Sequence, residues 1–182
     1  KSKIFLCLGL FLLLAVIVVI ADTVTSNIST LNFNEDVSSI YNFSVNSTGT
    51  LTEQNITWVN ITIPSSFTFI ANTNFSTAGA HTFANTSTVL SWFNAGGLIM
   101  NTTSSFVFNA TASTPGTFNI TVQTYNVTAE TNYTNFTVTI NDTTAPNLSY
   151  IAPTPSTEAN SSITEILVNV SATDNLAVNV IR

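Results

Sequence analysis

Positive charge is what this chain lacks most. Lys1, Lys3 and Arg182 are its lysines and arginine, so from Ile4 to Ile181 the only side chain able to carry a positive charge is His81. A surface of that kind cannot neutralise phosphates, which excludes nucleic-acid binding. The same absence removes lysine nucleophiles, arginine clamps and P-loops. It also removes internal Lys–Asn crosslinks as a stabilising device. One cysteine, Cys7, leaves no disulfide. With one histidine beside it, a Cys/His zinc site and a Ser-His or Cys-His catalytic pair are poorly supplied. Charged residues are 7% of the chain, against about 25% in an average soluble protein. The nine acids are scattered, Glu35 and Asp36 alone being adjacent, and carry no glycosidase signature. His81 falls in the Gly79-Ala80-His81-Thr82 stretch and reads as a solvated loop residue. The chain is therefore expected to be no enzyme.

Uncharged polar residues take the place of charge: 23 Asn, 32 Thr and 20 Ser in 182 residues. Residues 1–21 stand apart from this composition. Lys1-Ser2-Lys3 precedes an unbroken apolar run from Ile4 to Ala21, and Val19-Ile20-Ala21 offers small and apolar residues before a cut at Asp22. That is the three-part pattern of a secretory signal peptide. The run is long for a signal core and just short of the ~20 residues of a spanning helix. Residues 1–21 thus read as a signal peptide or an N-terminal membrane anchor, a hydrophobic helix in either case, with a pilin-type stem as a third reading. In each reading the remainder is exported, and the membrane is touched only through residues 1–21 if they stay uncleaved. No methionine begins the chain, and the run from Ala177 to Arg182 stops inside an alternating pattern. We expect a piece of a longer protein, with further domains after Arg182.

Past Asp22 the apolar residues recur with period two rather than 3.6. Tyr41-Phe43-Val45, Phe106-Phe108-Ala110-Ala112, Phe118-Ile120-Val122, Phe136-Val138-Ile140 and Ile166-Val168-Val170 each alternate with polar or small neighbours. Val24–Leu31, Ile56–Ile63, Phe67–Ala71 and Thr88–Phe93 are further strand candidates. Turn signals fall at Thr48-Gly49, Pro64-Ser65, Ala78-Gly79, Gly96-Gly97 and Pro115-Gly116. Short strands at such spacing predict an all-β, two-sheet antiparallel sandwich over residues 22–142. Its apolar phase is rich in phenylalanine, and it is long enough to bury a real core. Residues 143–147 read as a linker, and 148–182 as the start of a second sandwich, too short to complete one alone.

The order of segments carries a resemblance. Thr62-Ile63-Pro64-Ser65-Ser66-Phe67-Thr68-Phe69-Ile70, Val89-Leu90-Ser91-Trp92, Phe106-Val107-Phe108-Asn109-Ala110 and Pro115-Gly116-Thr117-Phe118-Asn119-Ile120-Thr121-Val122 follow one another. This run resembles the Ig-like repeat domains of large microbial cell-surface proteins. Asp142-Thr143-Thr144-Ala145-Pro146 and then Val170-Ser171-Ala172-Thr173-Asp174-Asn175 look like the opening of a next repeat. The Asn- and Thr-rich style is similar to surface proteins of small-genome archaea, where such repeats often precede lectin domains. The resemblance implies an Ig-like fold and an extracellular or cell-surface spacer or adhesion role. It implies nothing about a particular ligand, and the partner is left as an unknown surface component or glycan.

Seventeen asparagines stand in Asn-x-Ser/Thr with x not proline. At this Ser and Thr frequency roughly six or seven would do so by chance. Dense N-glycosylation of an exported chain is one cause. The other is geometric: residues two apart share a strand face, so a wet face of Asn and Thr writes the motif by itself. Asn42, Asn109, Asn119, Asn135 and Asn169 lie on the polar phase of their strands, and Asn60 and Asn126 join them as glycosylation candidates. Glycans would also guard sheet edges that carry few charges.

Two weaker constellations remain. Ig-like arrays often bind calcium near domain junctions through Asp, Asn and backbone oxygens, which makes Asp142, Asp174 and Asn175 candidate ligands and Glu35-Asp36 another oxygen-rich pair. Otherwise these are ordinary turn and loop acids. Trp58 and Trp92 are candidate sugar-stacking platforms, or else core residues. Three functions follow: a surface spacer or adhesion stalk, a carbohydrate-binding module supporting a downstream lectin or enzyme domain, or a filament or surface-layer subunit with a retained stem. An exposed Trp58 or Trp92 beside Asn or Gln would favour the second.

Overall fold

A computed structural model describes residues 22–26, 31–48, 55–128, 131–152, 154 and 167–176. The expected hydrophobic helix of residues 1–21 lies outside them. Among the described residues every regular element is β. In chain order the strands are β1 (Asp22–Ser26), β2 (Asn32–Asn34), β3 (Ser39–Ser47), β4 (Ile56–Thr62), β5 (Phe67–Phe69), β6 (Phe75–Ser76) and β7 (Thr82–Asn85). Then come β8 (Val89–Phe93), β9 (Thr103–Ala112), β10 (Gly116–Asn126), β11 (Thr131–Asn141), β12 (Asn147–Tyr150) and β13 (Val170–Thr173).

Two sheets face each other. One has the order β1-β3-β9-β5, with β6 also on β9; the other runs β2-β11-β10-β4-β8-β7. Every strand pairing is antiparallel except β2 on β11. The N-terminal stretch therefore divides between the sheets, β1 closing one edge and β2 another. The predicted strand Val24–Leu31 is in fact β1 alone over the residues described, and β2 is a separate short strand in the opposite sheet.

The inward phase is the one that alternation marked. Tyr41, Phe43 and Val45 of β3 and Phe106, Phe108, Ala110 and Ala112 of β9 meet Val59, Ile61, Leu90, Trp92, Ile120, Val122, Val138 and Ile140 from the other sheet, all buried. Burying one large apolar side chain contributes roughly 1.5–3 kcal/mol. Rings fill the gap between the sheets: Tyr41 stacks on Phe108 at 5.2 Å, Phe43 meets Phe136 at 4.9 Å, and Trp92 sits between Phe83 at 5.0 Å and Phe106 at 5.3 Å. Burial pushes the Tyr41 phenol well above its usual range.

Gly97 shows why the turn before Leu98 needs glycine. Its φ is +115°, and an added Cβ would lie 3.1 Å from Met100 Sδ. The strands that sequence reading missed, β2, β6, β7 and β12, have two to four residues, too few for a period-two pattern to stand out. The last predicted strand is displaced. β13 begins at Val170 and pairs with β12 in a separate two-stranded sheet, while Leu167 and Val168 are exposed. Two strands alone stabilise little, so alternation there had no core to enforce it. Residues 142–146, between that sheet and the sandwich, form no strand.

Candidate functional site

The outer face of the six-stranded sheet is built by register. Tyr125 of β10 pairs with Trp58 of β4, Trp58 with Phe93 of β8, and Phe93 with Thr82 of β7. Two residues along, Tyr133 of β11 pairs with Gln123, Gln123 with Asn60, and Asn60 with Ser91. The next row joins Asn135, Thr121, Thr62 and Val89. One row is aromatic, and its neighbours are amide and hydroxyl.

Trp58 is 39% exposed, its ring 4.6 Å from Phe93 and 6.3 Å from Tyr125 between centroids. A register shift beside it lets Ile56 and Val59 both point inward, and Thr57 Oγ1 pins the bulge by donating to the carbonyl of Asn126 at 3.2 Å. A shallow cavity of about 430 Å³ opens there, lined by Thr57, Trp58, Asn60, Tyr125, Asn126 and Val127. A second, of about 380 Å³, is lined by Ala80, His81, Thr82, Phe93, Asn94 and Ala95. His81 is exposed, and its Nδ1 donates to the carbonyl of Gly79 at 2.7 Å.

Trp92 is no platform. It shares the inward phase of Leu90, is fully buried, and its Nε1 has no hydrogen-bond partner. The phase was readable: Trp92 alternates with Ser91 and Phe93, whereas Trp58 alternates with Val59 and shares a face with Asn60 and Thr62.

The glycosylation candidates fall into three environments. Asn119 and Asn135 are exposed; Asn42, Asn60, Asn109 and Asn169 are half-buried; Asn126 is buried, at 3%. On the wet faces a neighbouring hydroxyl engages the asparagine oxygen. Thr121 Oγ1 donates to Asn135 Oδ1 at 2.7 Å, Ser91 Oγ to Asn60 Oδ1 at 2.6 Å, and Thr137 Oγ1 to Asn119 Oδ1 at 3.4 Å. Asn126 instead accepts from the amide and hydroxyl of Thr128, the third residue of its own motif. Asn169 uses its amide nitrogen on the carbonyl of Ala152 at 3.4 Å.

Asp142, Asp174 and Asn175 come together around a residue that sequence reading left as one of an oxygen-rich pair. Glu35 is buried at the end of β2, and Asp36 after it takes a left-handed φ of 53°. Glu35 Oε1 accepts from the amides of Thr143 and Thr144, at 3.0 and 2.8 Å, and from Thr144 Oγ1 at 2.5 Å. Its Oε2 accepts from Asn175 Nδ2 at 2.6 Å. The bonds from Thr144 and Thr143, that of the Thr144 hydroxyl foremost, lower the Glu35 pKa from 4.5 to about 2. Asp142 moves the other way, raised mainly by burial and in part by the charges of Asp174 and Glu35. The carboxylate oxygens of Glu35 are taken up by protein donors, and the Asn175 group turned toward Glu35 is an N–H donor. Among the described residues no group of three or more His, Cys, Asp or Glu is placed to hold a metal ion. Hydrogen bonds to Glu35 from Thr143, Thr144 and Asn175 hold this junction together.

No protein-family profile and no curated protein matches the chain. Solved structures do. The chain is similar to the major pilin subunit of Bacillus cereus, at 10% identity and a TM-score of 0.51, over 70% of this chain and 42% of that one. It is similar at a lower TM-score of 0.45, with 15% identity, to the collagen-binding domain of the Erysipelothrix rhusiopathiae surface protein RspB, over 66% of this chain and 46% of that one. A Nocardia farcinica protein with an immunoglobulin-like fold aligns over 83% of this chain and 96% of its own, at 12% identity and a TM-score of 0.35. The chain thus spans less than half the length of the pilin subunit. The likeness to the pilin subunit is of fold alone, and none of the three lends support to an archaeal source. The fold is an all-β, Ig-like sandwich.

Proposed function

We propose that this chain is a non-enzymatic module displayed at or outside the cell surface, where its sandwich serves as a spacer or adhesion unit. The observation that carries the reading is a sandwich whose wet faces are neutral amide and hydroxyl, behind a leader-like segment at residues 1–21. Such a face offers few groups for chemistry. The likeness in fold to a pilin subunit supports it.

Expressing the full chain with a C-terminal tag and treating intact cells with a membrane-impermeant protease tests it. Loss of the tag is the expected result; a tag protected until lysis overturns the proposal. N-terminal sequencing of the same material separates a cleaved leader, beginning at Asp22, from the retained stem of a filament subunit.

Glycosylation belongs to the same reading. Asn119 and Asn135 are the positions best able to carry glycans, since cross-strand threonines hold their oxygens and the amide nitrogens are left outward. Asn126 is the poorest. Intact mass of native protein before and after glycan removal checks this, and identical masses would contradict it.

A further inference from the structure

We propose that the aromatic row on the outer face of the six-stranded sheet, with the polar row beside it, binds a neutral glycan chain. The inference deepens the surface-module reading by naming the class of partner. It rests on that reading only for where the partner is met.

Tyr125, Trp58 and Phe93 come from three strands, yet register sets them side by side. Strands stand about 4.8 Å apart, so the row from Tyr125 to Thr82 runs about 14 Å. The two shallow cavities lie along it, one against Tyr125 and Trp58, the other against Phe93 and Thr82. About 7 Å up the strands lies the polar row. There Gln123 Nε2 donates to the Tyr133 hydroxyl at 2.6 Å, and Ser91 Oγ donates to Asn60 Oδ1 at 2.6 Å. Those bonds orient the amides and leave Gln123 Oε1 and Asn60 Nδ2 for a ligand.

A sugar ring has an apolar C–H face and a rim of hydroxyls. It needs an aromatic surface beside fixed donors and acceptors, and the two rows supply both. Phe93 and the pinned bulge hold Trp58 in place, so little ordering is required on binding. No carboxylate, lysine or arginine stands in either row, and His81, lining the second cavity, is the one side chain beside them able to carry positive charge, so a charged polymer would find little counter-charge. A stable protein partner needs about 800 Å² per side, far more than rows of about 14 by 7 Å provide.

Affinity electrophoresis of the purified chain through gels containing soluble xylan, mannan, β-glucan or alginate tests the proposal. The expected result is retardation by at least one neutral polymer, with affinity falling about tenfold in Trp58→Ala and Tyr125→Ala. Trp58→Phe should keep part of it, and Asn135→Ala, one row further out, should keep all of it. The proposal is overturned if no neutral polymer retards the chain, if only alginate does, or if Trp58→Ala migrates as the parent does. Sedimentation of the parent and Trp58→Ala completes the test: a dimer lost in the variant would make the row a self-association surface and also overturn the proposal. Circular dichroism shows whether Trp58→Ala is folded, and Gln123→Ala provides a second variant if it is not. A chain that binds glycan but stays inside the cell would sink the surface reading and leave this one standing. A surface-exposed chain that binds none would do the reverse.

Discussion

The six-stranded sheet carries aromatic residues on both faces, and the two faces use them differently. Trp92 and Trp58 stand on neighbouring strands, one residue out of register, because Val59 pairs with Trp92. Trp92 is enclosed between Phe83 and Phe106, where its ring holds the sheets together. Trp58 leans on Phe93 in the open. The same residue type serves packing on one face and stands open to solvent on the other, and a single step of pleat decides which.

That contrast breaks most visibly at the core. Trp92→Ala should destabilise the sandwich by about 3–5 kcal/mol, read by denaturant unfolding. Trp58→Ala should cost about 0.5–1.5 kcal/mol, the size of an exposed aromatic pair. Equal losses would erase the distinction. Between them falls Gly97→Ala, expected to cost about 1–3 kcal/mol because its backbone is left-handed and its Cβ would crowd Met100. On the wet face, Asn119→Gln and Asn135→Gln should each change stability by less than about 0.5 kcal/mol while removing any glycan mass at that position.

The junction sharpens the comparison through pH. The Glu35 pKa is depressed in the folded chain, so its contribution is fully present above about pH 4.5 and is lost as pH falls toward about 2. Asp142 is raised, so its proton uptake on acidification opposes that loss. The amide of Thr143, which donates to Glu35 Oε1, should shift across the Glu35 window when followed by NMR, and Glu35→Gln should abolish the shift. A metal cage would behave otherwise: millimolar calcium or its chelation is expected to leave the thermal midpoint unchanged.

Alternation made the core legible because it is a local property. The inward phases of β3, β9, β10 and β11 could be read residue by residue, and so could the opposite phases of Trp92 and Trp58. Register is not local. Trp58 meets Tyr125 and Phe93 through pairings across long stretches of chain, and nothing near Trp58 announces them. Glu35 likewise looked like a loop acid until Thr143, Thr144 and Asn175 arrived from far along the chain. Short strands such as β6 and β7 were invisible because only their neighbours hold them in place. The bulge at Thr57 was hidden for the same reason: its hydrogen bond goes to the carbonyl of Asn126.

Acrylamide quenching of two single-tryptophan variants, Trp58→Phe and Trp92→Phe, tests the opposed faces most directly. Emission from Trp92 alone should be blue-shifted and nearly immune to the quencher, and emission from Trp58 alone should be red-shifted and readily quenched. Equal quenching of the two, or protection of Trp58, would contradict the two-faced sheet on which both the core and the glycan row depend.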